Sequence, residues 1–457
     1  MRAIVVGGGI SGLTAARDLV ARGYDVLLLE ATDRVGGKIR GGEVAGVVVD
    51  VGAEAMVNRR PEGIGLAAEL GIPVVHPTTA TSRIWTRGGL HPLPRTLMGA
   101  PLDLDGLAAS GVLSDEGVAR ARQEPDLPAS DVADDVAVGE LVDQRYGPEV
   151  TDRLVEPLLG GVYAGDARRI SVQVAMPQLL ALARKGSITA QGAAFSAPST
   201  AQAPVFAGIA GGMWQLPERM ADELTASGRA TIRHASTVRA LVRTDDGFAV
   251  DTDDGPETAD VVVLATPAAP TARLLADLAP DAAAELRDLR YASSAVVTLA
   301  FRADEAGAAI DVGASGFLVP PVDGRRVKAS TFSFAKWDWV RAAGAGTPEG
   351  DLLLLRTSLG RVGEEQVLQV PDEELVAISL AELTEATGLT AKPVDAVVQR
   401  WGGGLPQYAV GHLDRVQRIR AAVARVPGLA VCGAAYDGVG IAVCIASAHR
   451  AVADLAR

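Results

Sequence analysis

The chain has 457 residues, 48% hydrophobic and 22% charged, with a formal net charge of −13. That length exceeds one ordinary core and predicts two or three domains, while the acidity argues against nucleic acid or a broad polybasic membrane footprint. Two cysteines, Cys432 and Cys444, make no disulfide framework or metal-ligand spacing and point to a reducing compartment; no apolar run reaches the ~18 residues of a membrane span.

The first predicted element is the apolar run RAIVV, a strand buried on both faces. Residue 4 already lies inside it, so no signal peptide is expected. Gly7, Gly8, Gly9, Ile10, Ser11 and Gly12 follow, then a helical pattern with Leu13, Ala16, Leu19 and Val20 on one side. The second strand, YDVLLLE, ends at Glu30. This is the G-x-G-x-x-G dinucleotide unit in its required strand–turn–helix–strand context. Gly7 allows the tight turn, Gly9 lets backbone N–H groups approach a pyrophosphate, and Gly12 lets the helix sit close to the strand. The helix N-terminus favours the anion, and Glu30 can accept from a ribose diol. Directly after it, Arg34-x-Gly36-Gly37 adds a second backbone-exposing turn. This E-x-x-x-R-x-G-G extension resembles that of FAD enzymes of the amine-oxidase/protoporphyrinogen-oxidase superfamily, and the resemblance makes FAD rather than NAD the expected dinucleotide.

Further along, LGIPVVHPTTATSRIWTRGGLHPLP reads as strands and turns leaving the first domain. Residues 93–205 read as short helices broken by Pro and Gly. Within them QEPDLPASDVADD is an acidic linker, and a turn falls at Tyr146-Gly147-Pro148. AQGAAFSAPSTAQAPVFAG is small-residue-rich and expected to be mobile. A helix returns at MWQLPERMADELTAS, followed by short strands with Asp-Gly turns up to VVVLATPAA. GGMWQLPERM, STVRAL and VVVLATP resemble, in that order, the superfamily's re-entry into its nucleotide domain, with Val238 at the position that meets the cofactor through its backbone. YASSAVVTLAF, FLVPPV, KASTFSFAKW and DLLLLRTSLG read as strands of a second sheet.

The C-terminal GLAVCGAAYDGVGIAVCIASAHRAV is another strand–glycine–helix turn without phosphate-binding spacing. In the superfamily the last helix points its N-terminus at the flavin ring, where backbone N–H groups at Val439–Ile441 would favour the charge of the reduced ring. GVGI-x-x-C-I-A-S, with LPQY-x-VGH upstream and Ala335–Trp337, resembles the protoporphyrinogen/coproporphyrinogen oxidase family over nearly the whole chain.

That resemblance implies an α/β fold: a Rossmann-like FAD-binding domain of p-hydroxybenzoate-hydroxylase/amine-oxidase type, an interleaved α+β substrate domain and a helical insertion. The expected division is 1–85, 206–290 and 405–457 for FAD, 86–205 for the mainly helical insertion, and 291–404 for the substrate-binding sheet. Carried over residue by residue, the cofactor positions are Gly7, Gly8, Gly9, Ile10, Ser11, Gly12, Glu30, Ala31, Lys38, Gly52, Ala53, Glu54, Ala55, Val238, Trp401, Val439, Gly440 and Ile441. Some members carry a Gly-Pro-Arg loop near the flavin; here the segment reads Gly52-Ala53-Glu54-Ala55, so the arginine proposed there to hold a substrate propionate is absent. Arg59 and Arg60 follow closely and are substitutes or plain surface charges.

The implied reaction removes six electrons from a porphyrinogen in three flavin cycles, each ended by dioxygen giving hydrogen peroxide. A tetra-acid substrate, coproporphyrinogen III, requires local cations; Arg59, Arg60, Arg168, Arg169, Lys185 and Lys336 are the candidates, with Lys336 in the best family context. His412 is a further substrate-side candidate whose competing role is a structural hydrogen bond. No catalytic residue and no metal are expected. The implied setting is cytoplasmic or peripheral to the membrane, with handover of product to a ferrochelatase and no nucleic-acid partner. The competing readings are protoporphyrinogen IX oxidation, a flavin amine oxidase, a carotenoid-type desaturase and a non-catalytic flavoprotein scaffold. No lysine occurs in YASSAVVTLAF, where amine oxidases typically place one, and the C-terminus differs from the desaturase end motif.

Overall fold

The computed structural model describes residues 1–132, 134–192 and 204–455. The run Arg2–Val6 forms the expected strand, with four of its five residues buried. Its alternate residues enter different cores: Ala3 and Val5 pack on one face, Ile4 and Val6 on the other. Period-two side-chain alternation in a strand covered on both sides produces this split.

The strand pairs in parallel with Asp25–Leu29 on one side and Val261–Leu264 on the other. Ala230–Arg233 and Leu429–Val431 complete a five-stranded parallel sheet as its edges. Segments from the start, middle and end of the chain thus share one sheet. Helices Ile10–Ala21, Gln215–Ala226 and Ile441–Asp454 contribute to one covering core. The antiparallel strands Val238–Thr244, Gly247–Thr252 and Gly255–Ala259, with helices Pro280–Arg287 and His412–Val423, contribute to the other. Both hairpins turn at the expected Asp-Gly signals, through the two-residue loops Asp245-Asp246 and Asp253-Asp254, and the glycine after each opens the next strand.

The second sheet has seven strands, in the order Asp395–Pro406, Tyr291–Arg302, Leu352–Leu359, Val327–Thr331, Ala314–Leu318, Thr81–Thr86, Gly89–Pro92. Here the domain boundaries drawn from sequence need correction. Thr81–Thr86 pairs with Ala314–Leu318, far along the chain, so the boundary after residue 85 cuts a strand of this sheet. Asp395–Pro406 likewise runs across the boundary placed after 404. KASTFSFAKW is also only half a strand, since Ser333–Lys336 turns into a short helix.

The helical insertion has its own core, built from Leu107, Leu141, Tyr146, Leu154 and Leu179 among others. Helix Val138–Tyr146 stops at Gly147, whose φ is +92°, and Pro148 opens the next helical turn. The acidic stretch read as a linker is not wholly one. Glu124 is fully buried, pairs with Arg145 at 2.5 Å, and accepts from the Ile188 and Thr189 N–H groups and the Ser187 hydroxyl. A buried carboxylate persists only when so completely partnered. Residues 193–203 of the small-residue segment expected to be mobile lie outside the described residues. Among the described residues no helix is long and apolar enough to cross a membrane.

Candidate functional site

At the carboxyl end of Arg2–Val6 the chain turns through Gly7, Gly8 and Gly9 into helix Ile10–Ala21. Two of its glycines are required by the protein itself. A Cβ on Gly12 would lie 1.8 Å from the Gly7 carbonyl oxygen, and one on Gly7 would lie 2.9 Å from the Ala265 carbonyl oxygen. Gly9 differs: a Cβ there would meet nothing within 4 Å. Its free space is a cradle of the kind a diphosphate fills when backbone N–H groups approach it at a helix N-terminus.

The Glu30 carboxylate accepts from the Gly8 N–H at 2.6 Å and the Thr32 N–H at 2.9 Å, which fixes it beside the turn. Ala31 is exposed immediately after it. The Ser236 N–H donates to the Glu30 carbonyl at 2.9 Å, bringing the start of strand Val238–Thr244 to the same edge. Arg34 donates to the carbonyls of Val35 and Gly37 at 2.9 and 2.8 Å, closing the second turn, and Gly36 N–H bonds the Gly8 carbonyl at 2.8 Å. The two glycine turns predicted near the N-terminus are therefore laced together.

The C-terminal turn leaves the same sheet, with strand Val261–Leu264 between it and the first. After Leu429–Val431 come Gly433, Gly438 and Gly440 with φ of +122°, +123° and +112°. Helix Ile441–Asp454 then starts against the first turn: the Ser11 hydroxyl donates to the Cys444 carbonyl at 3.0 Å. Gly440 is exposed, and a Cβ on it would meet nothing within 4 Å. Two helix N-termini thus begin side by side at the carboxyl end of one parallel sheet, the place where doubly wound folds bind ligands. Asp437, between the last glycines, is clamped by Arg420 and Arg450, each at 2.6 Å.

A third wall comes from residues 38–55. The Ala53 N–H donates to the Lys38 carbonyl at 3.0 Å, and a Cβ on Gly52 would lie 2.2 Å from that oxygen. The Lys38 side chain is solvent-accessible yet crowded by protein, as on a concave surface, and the crowding lowers its pKa. A Cβ on Gly404, next to the strand segment carrying Trp401, would lie 3.7 Å from Lys38 Cε and 2.9 Å from Trp401 Cβ. Lys38 and the Trp401 segment are therefore neighbours.

Glu54 points away from any free role. Its carboxylate pairs with Lys336 Nζ at 2.5 Å and with Arg356 at 2.8 Å. Burial alone would raise its pKa; Arg356 and Lys336 outweigh burial and hold it near 2. Arg356 also donates to the backbone carbonyls of Asp50 and Gly52, at 3.2 and 2.8 Å. Asp50 in turn accepts from the N–H groups of Met213 and Trp214 at the entry to helix Gln215–Ala226, and burial pushes its pKa up to about 7. Neither Arg356 nor Asp50 was singled out in the sequence. The available signal was a lone arginine inside the apolar strand DLLLLRTSLG.

The candidates for a substrate carboxylate are dispersed. Lys336 already has Glu54 as its partner, so its ammonium is not a free cation. Arg59 and Arg60 are exposed before helix Pro61–Glu69, with Arg60 4.0 Å from Glu62. Arg168 pairs with Asp143 and Asp152, while Arg169 and Lys185 are exposed on the insertion. His412 is buried, its Nε2 3.3 Å from the Tyr436 carbonyl, and burial lowers its pKa to about 4. It holds the last turn rather than opening to solvent.

The segment around it has a joining role. The Tyr408 hydroxyl donates to the Ala434 carbonyl at 2.6 Å, the Ser171 N–H to the Tyr408 carbonyl at 2.8 Å, and the Gly411 N–H to Asp135 at 3.0 Å. PQYAVGH therefore ties the helical insertion to the C-terminal turn. Both cysteines are buried and free; burial raises both thiol pKa values, that of Cys444 to about 11.

Residues 10–456 match the family model described as flavin containing amine oxidoreductase. The chain is 38% identical over 461 residues, 99% of its length and 96% of the relative's, to a Mycobacterium tuberculosis (strain H37Rv) protein named coproporphyrinogen III oxidase. A Bacillus subtilis (strain 168) protein of the same name is 29% identical over 469 residues, 99% of this chain and 97% of that one. Among solved structures, one described only provisionally as a protoporphyrinogen oxidase from Exiguobacterium sp. 255-15 superposes with a TM-score of 0.87 at 32% identity, covering 100% of this chain and 99% of that one.

Proposed function

The chain belongs to the flavin containing amine oxidoreductase family, and from that premise we propose that it is an FAD-dependent oxidase that converts coproporphyrinogen III to coproporphyrin III in haem biosynthesis, with dioxygen as electron acceptor and hydrogen peroxide as by-product. The observation that carries this reading is the near-full-length kinship, at 38% identity, with a protein named for that activity. The open space at Gly9 and Gly440, where the protein itself fills nothing, supports a long cofactor spanning both turns.

FAD, when bound, supplies a two-electron acceptor, so removing six electrons takes three cycles. The chain's own residues bind and orient. The Gly9 backbone and the N-terminus of helix Ile10–Ala21 would hold the diphosphate; Glu30 would accept from the ribose, and the backbone at Val238 would meet the adenine. The Val439–Ile441 N–H groups would face the redox head and favour negative charge there. Lys38, Trp401 and Gly52–Ala55 would wall the ring and keep water out. The buried cysteines, with pKa values raised, suit a noncovalent cofactor. No catalytic side chain is assigned. We further place the protein in the cytoplasm, in contact with the membrane surface at most, passing its product to a ferrochelatase. The domain reading proposed from the two sheets keeps 206–290 and 407–457 with the cofactor unit and moves Thr81–Pro92 and the end of strand Asp395–Pro406 to the substrate unit.

The test is a side-by-side aerobic assay of FAD-loaded protein with coproporphyrinogen III and protoporphyrinogen IX. The expected result is a porphyrin absorbance band with about three hydrogen peroxide per porphyrin, and a higher kcat/KM for the tetra-acid. Equal or better turnover of the diacid would overturn the substrate choice. No porphyrin band with either would overturn the oxidase reading itself.

A further inference from the structure

Four polar side-chain atoms without a hydrogen-bond partner gather at the seam between the 38–55 segment and the second sheet. They are Thr298 Oγ1, Ser333 Oγ, Trp337 Nε1 and Arg356 Nε. Together with Asp50 and Glu54 their residues line one cavity of water size. Trp337 and Thr298 are each 1% exposed and Ser333 is 5% exposed, so bulk solvent does not serve them. Buried polar groups are otherwise almost always paired, because an unmet donor keeps its full desolvation cost.

The chemistry of the four atoms specifies the ligand. The indole N–H and the guanidinium Nε–H can only donate; the two hydroxyls can accept. A group that accepts two hydrogen bonds and donates two satisfies all four, and that group is water. A metal cation would face two obligate donors. An anion would lie against Glu54, whose carboxylate is held ionised by Lys336 and Arg356. The Trp337 indole also leans on the Glu54 carboxylate closely enough to help lower its pKa, yet its N–H is left without a well-aligned partner.

We propose that this cavity is a built site for one ordered water, which accepts from Trp337 and Arg356, donates to Thr298 and Ser333, and so couples the Gly52–Ala55 segment to the second sheet. Arg356 is the pivot. Its other nitrogens hold the Asp50 and Gly52 carbonyls and the Glu54 carboxylate. The water fills the guanidinium's remaining position and passes the restraint to Thr298 on strand Tyr291–Arg302 and to Ser333 and Trp337 around helix Ser333–Lys336. Because Gly52–Ala55 is read above as part of the cofactor wall, loss of the water would loosen that wall; this consequence rests on the proposed FAD site, whereas the water site itself does not.

The experiment is a crystal structure of the full chain with FAD, with a parallel bromide soak, on the wild type and on Thr298→Val. In the wild type a single water peak is expected within hydrogen-bonding distance of all four atoms, with no bromide anomalous signal. In Thr298→Val the peak should weaken or vanish, and the FAD dissociation constant should rise about fivefold, the scale of one lost water bridge. An empty cavity in the wild type, a bromide peak there, or an unchanged peak in Thr298→Val would overturn the water site. A lost peak with unchanged FAD affinity would overturn the coupling. Both outcomes are independent of which porphyrinogen is turned over.

Discussion

The turn at Gly7–Gly12 and the turn at Gly433–Gly440 leave the same parallel sheet and begin helices that touch through Ser11 and Cys444. They use glycine differently. In the first, Gly7 and Gly12 are dictated by close backbone approach within the protein, and Gly9 alone opens on free space. The second shares the positive φ that Gly7 has in the first, but it is braced from outside by Arg420 and Arg450 on its own Asp437 and by His412 on the Tyr436 carbonyl. The first turn is held mainly by close backbone approach, to Ala265 as well as within itself; the second is held by side chains that reach it from helices.

The strongest way to break this comparison is Gly12→Val. With a Cβ 1.8 Å from the Gly7 oxygen, the helix cannot sit on the strand, and a destabilisation above about 4 kcal/mol is expected. Loss of folded protein in circular dichroism and gel filtration is the readout; a folded variant with near-normal melting would refute the packing argument. Gly9→Val should do the opposite. Nothing in the protein opposes the side chain, so the apo melting temperature should hold while flavin affinity falls by more than about a hundredfold. Full flavin absorbance in a folded Gly9→Val protein would refute the diphosphate cradle.

The dependence of the second turn on its brace is sharpened by acid. His412 is neutral when folded, with its pKa lowered by burial from 6.5 to about 4. Between those values the unfolded chain binds the extra proton, so stability is complete above pH 6.5 and declines as pH falls towards 4. The full effect is roughly 3 kcal/mol. Chemical denaturation at stepped pH should show this slope in the wild type and a flatter one in His412→Gln. Equal slopes would place the acid sensitivity elsewhere.

The smallest effect is expected for Gly440→Ala. Its φ of +112° costs an alanine about 1–3 kcal/mol, but the space around it is open. Flavin should remain bound while its reduction potential shifts, measurable by dye-coupled titration. A retained potential would separate this N-terminus from the redox head.

The elements of the first turn were readable because their signals are local. A strand, three spaced glycines, a helix and an acidic residue lie within thirty consecutive positions, and the structure places Gly8 and Glu30 in hydrogen-bond contact. The C-terminal turn was readable as a turn, yet its contact with Ser11 was not, since nothing near Cys444 in sequence encodes a partner at the other end of the chain. Glu124 shows the same limit. Among prolines and aspartates it reads as solvated linker, and only the folded insertion brings Arg145 and the Ser187–Thr189 backbone to enclose it.

Elements with a short-range signature, namely the apolar strands, the Asp-Gly hairpins, the glycine turns and the helix breaks, are encoded locally in the chain. Tertiary structure alone decided which distant strands became neighbours, as with Thr81–Thr86 beside Ala314–Leu318, and which charges met. Lys336 looked like an available cation until Glu54 was found against it, and Arg356 was a strand residue until it was seen spanning the seam. The physical reason is that period and turn chemistry act over a few residues, where sequence is adjacent in space. Strand pairing and burial of charge are fixed by contacts between segments far apart in sequence, and a side chain's role follows from its partner there.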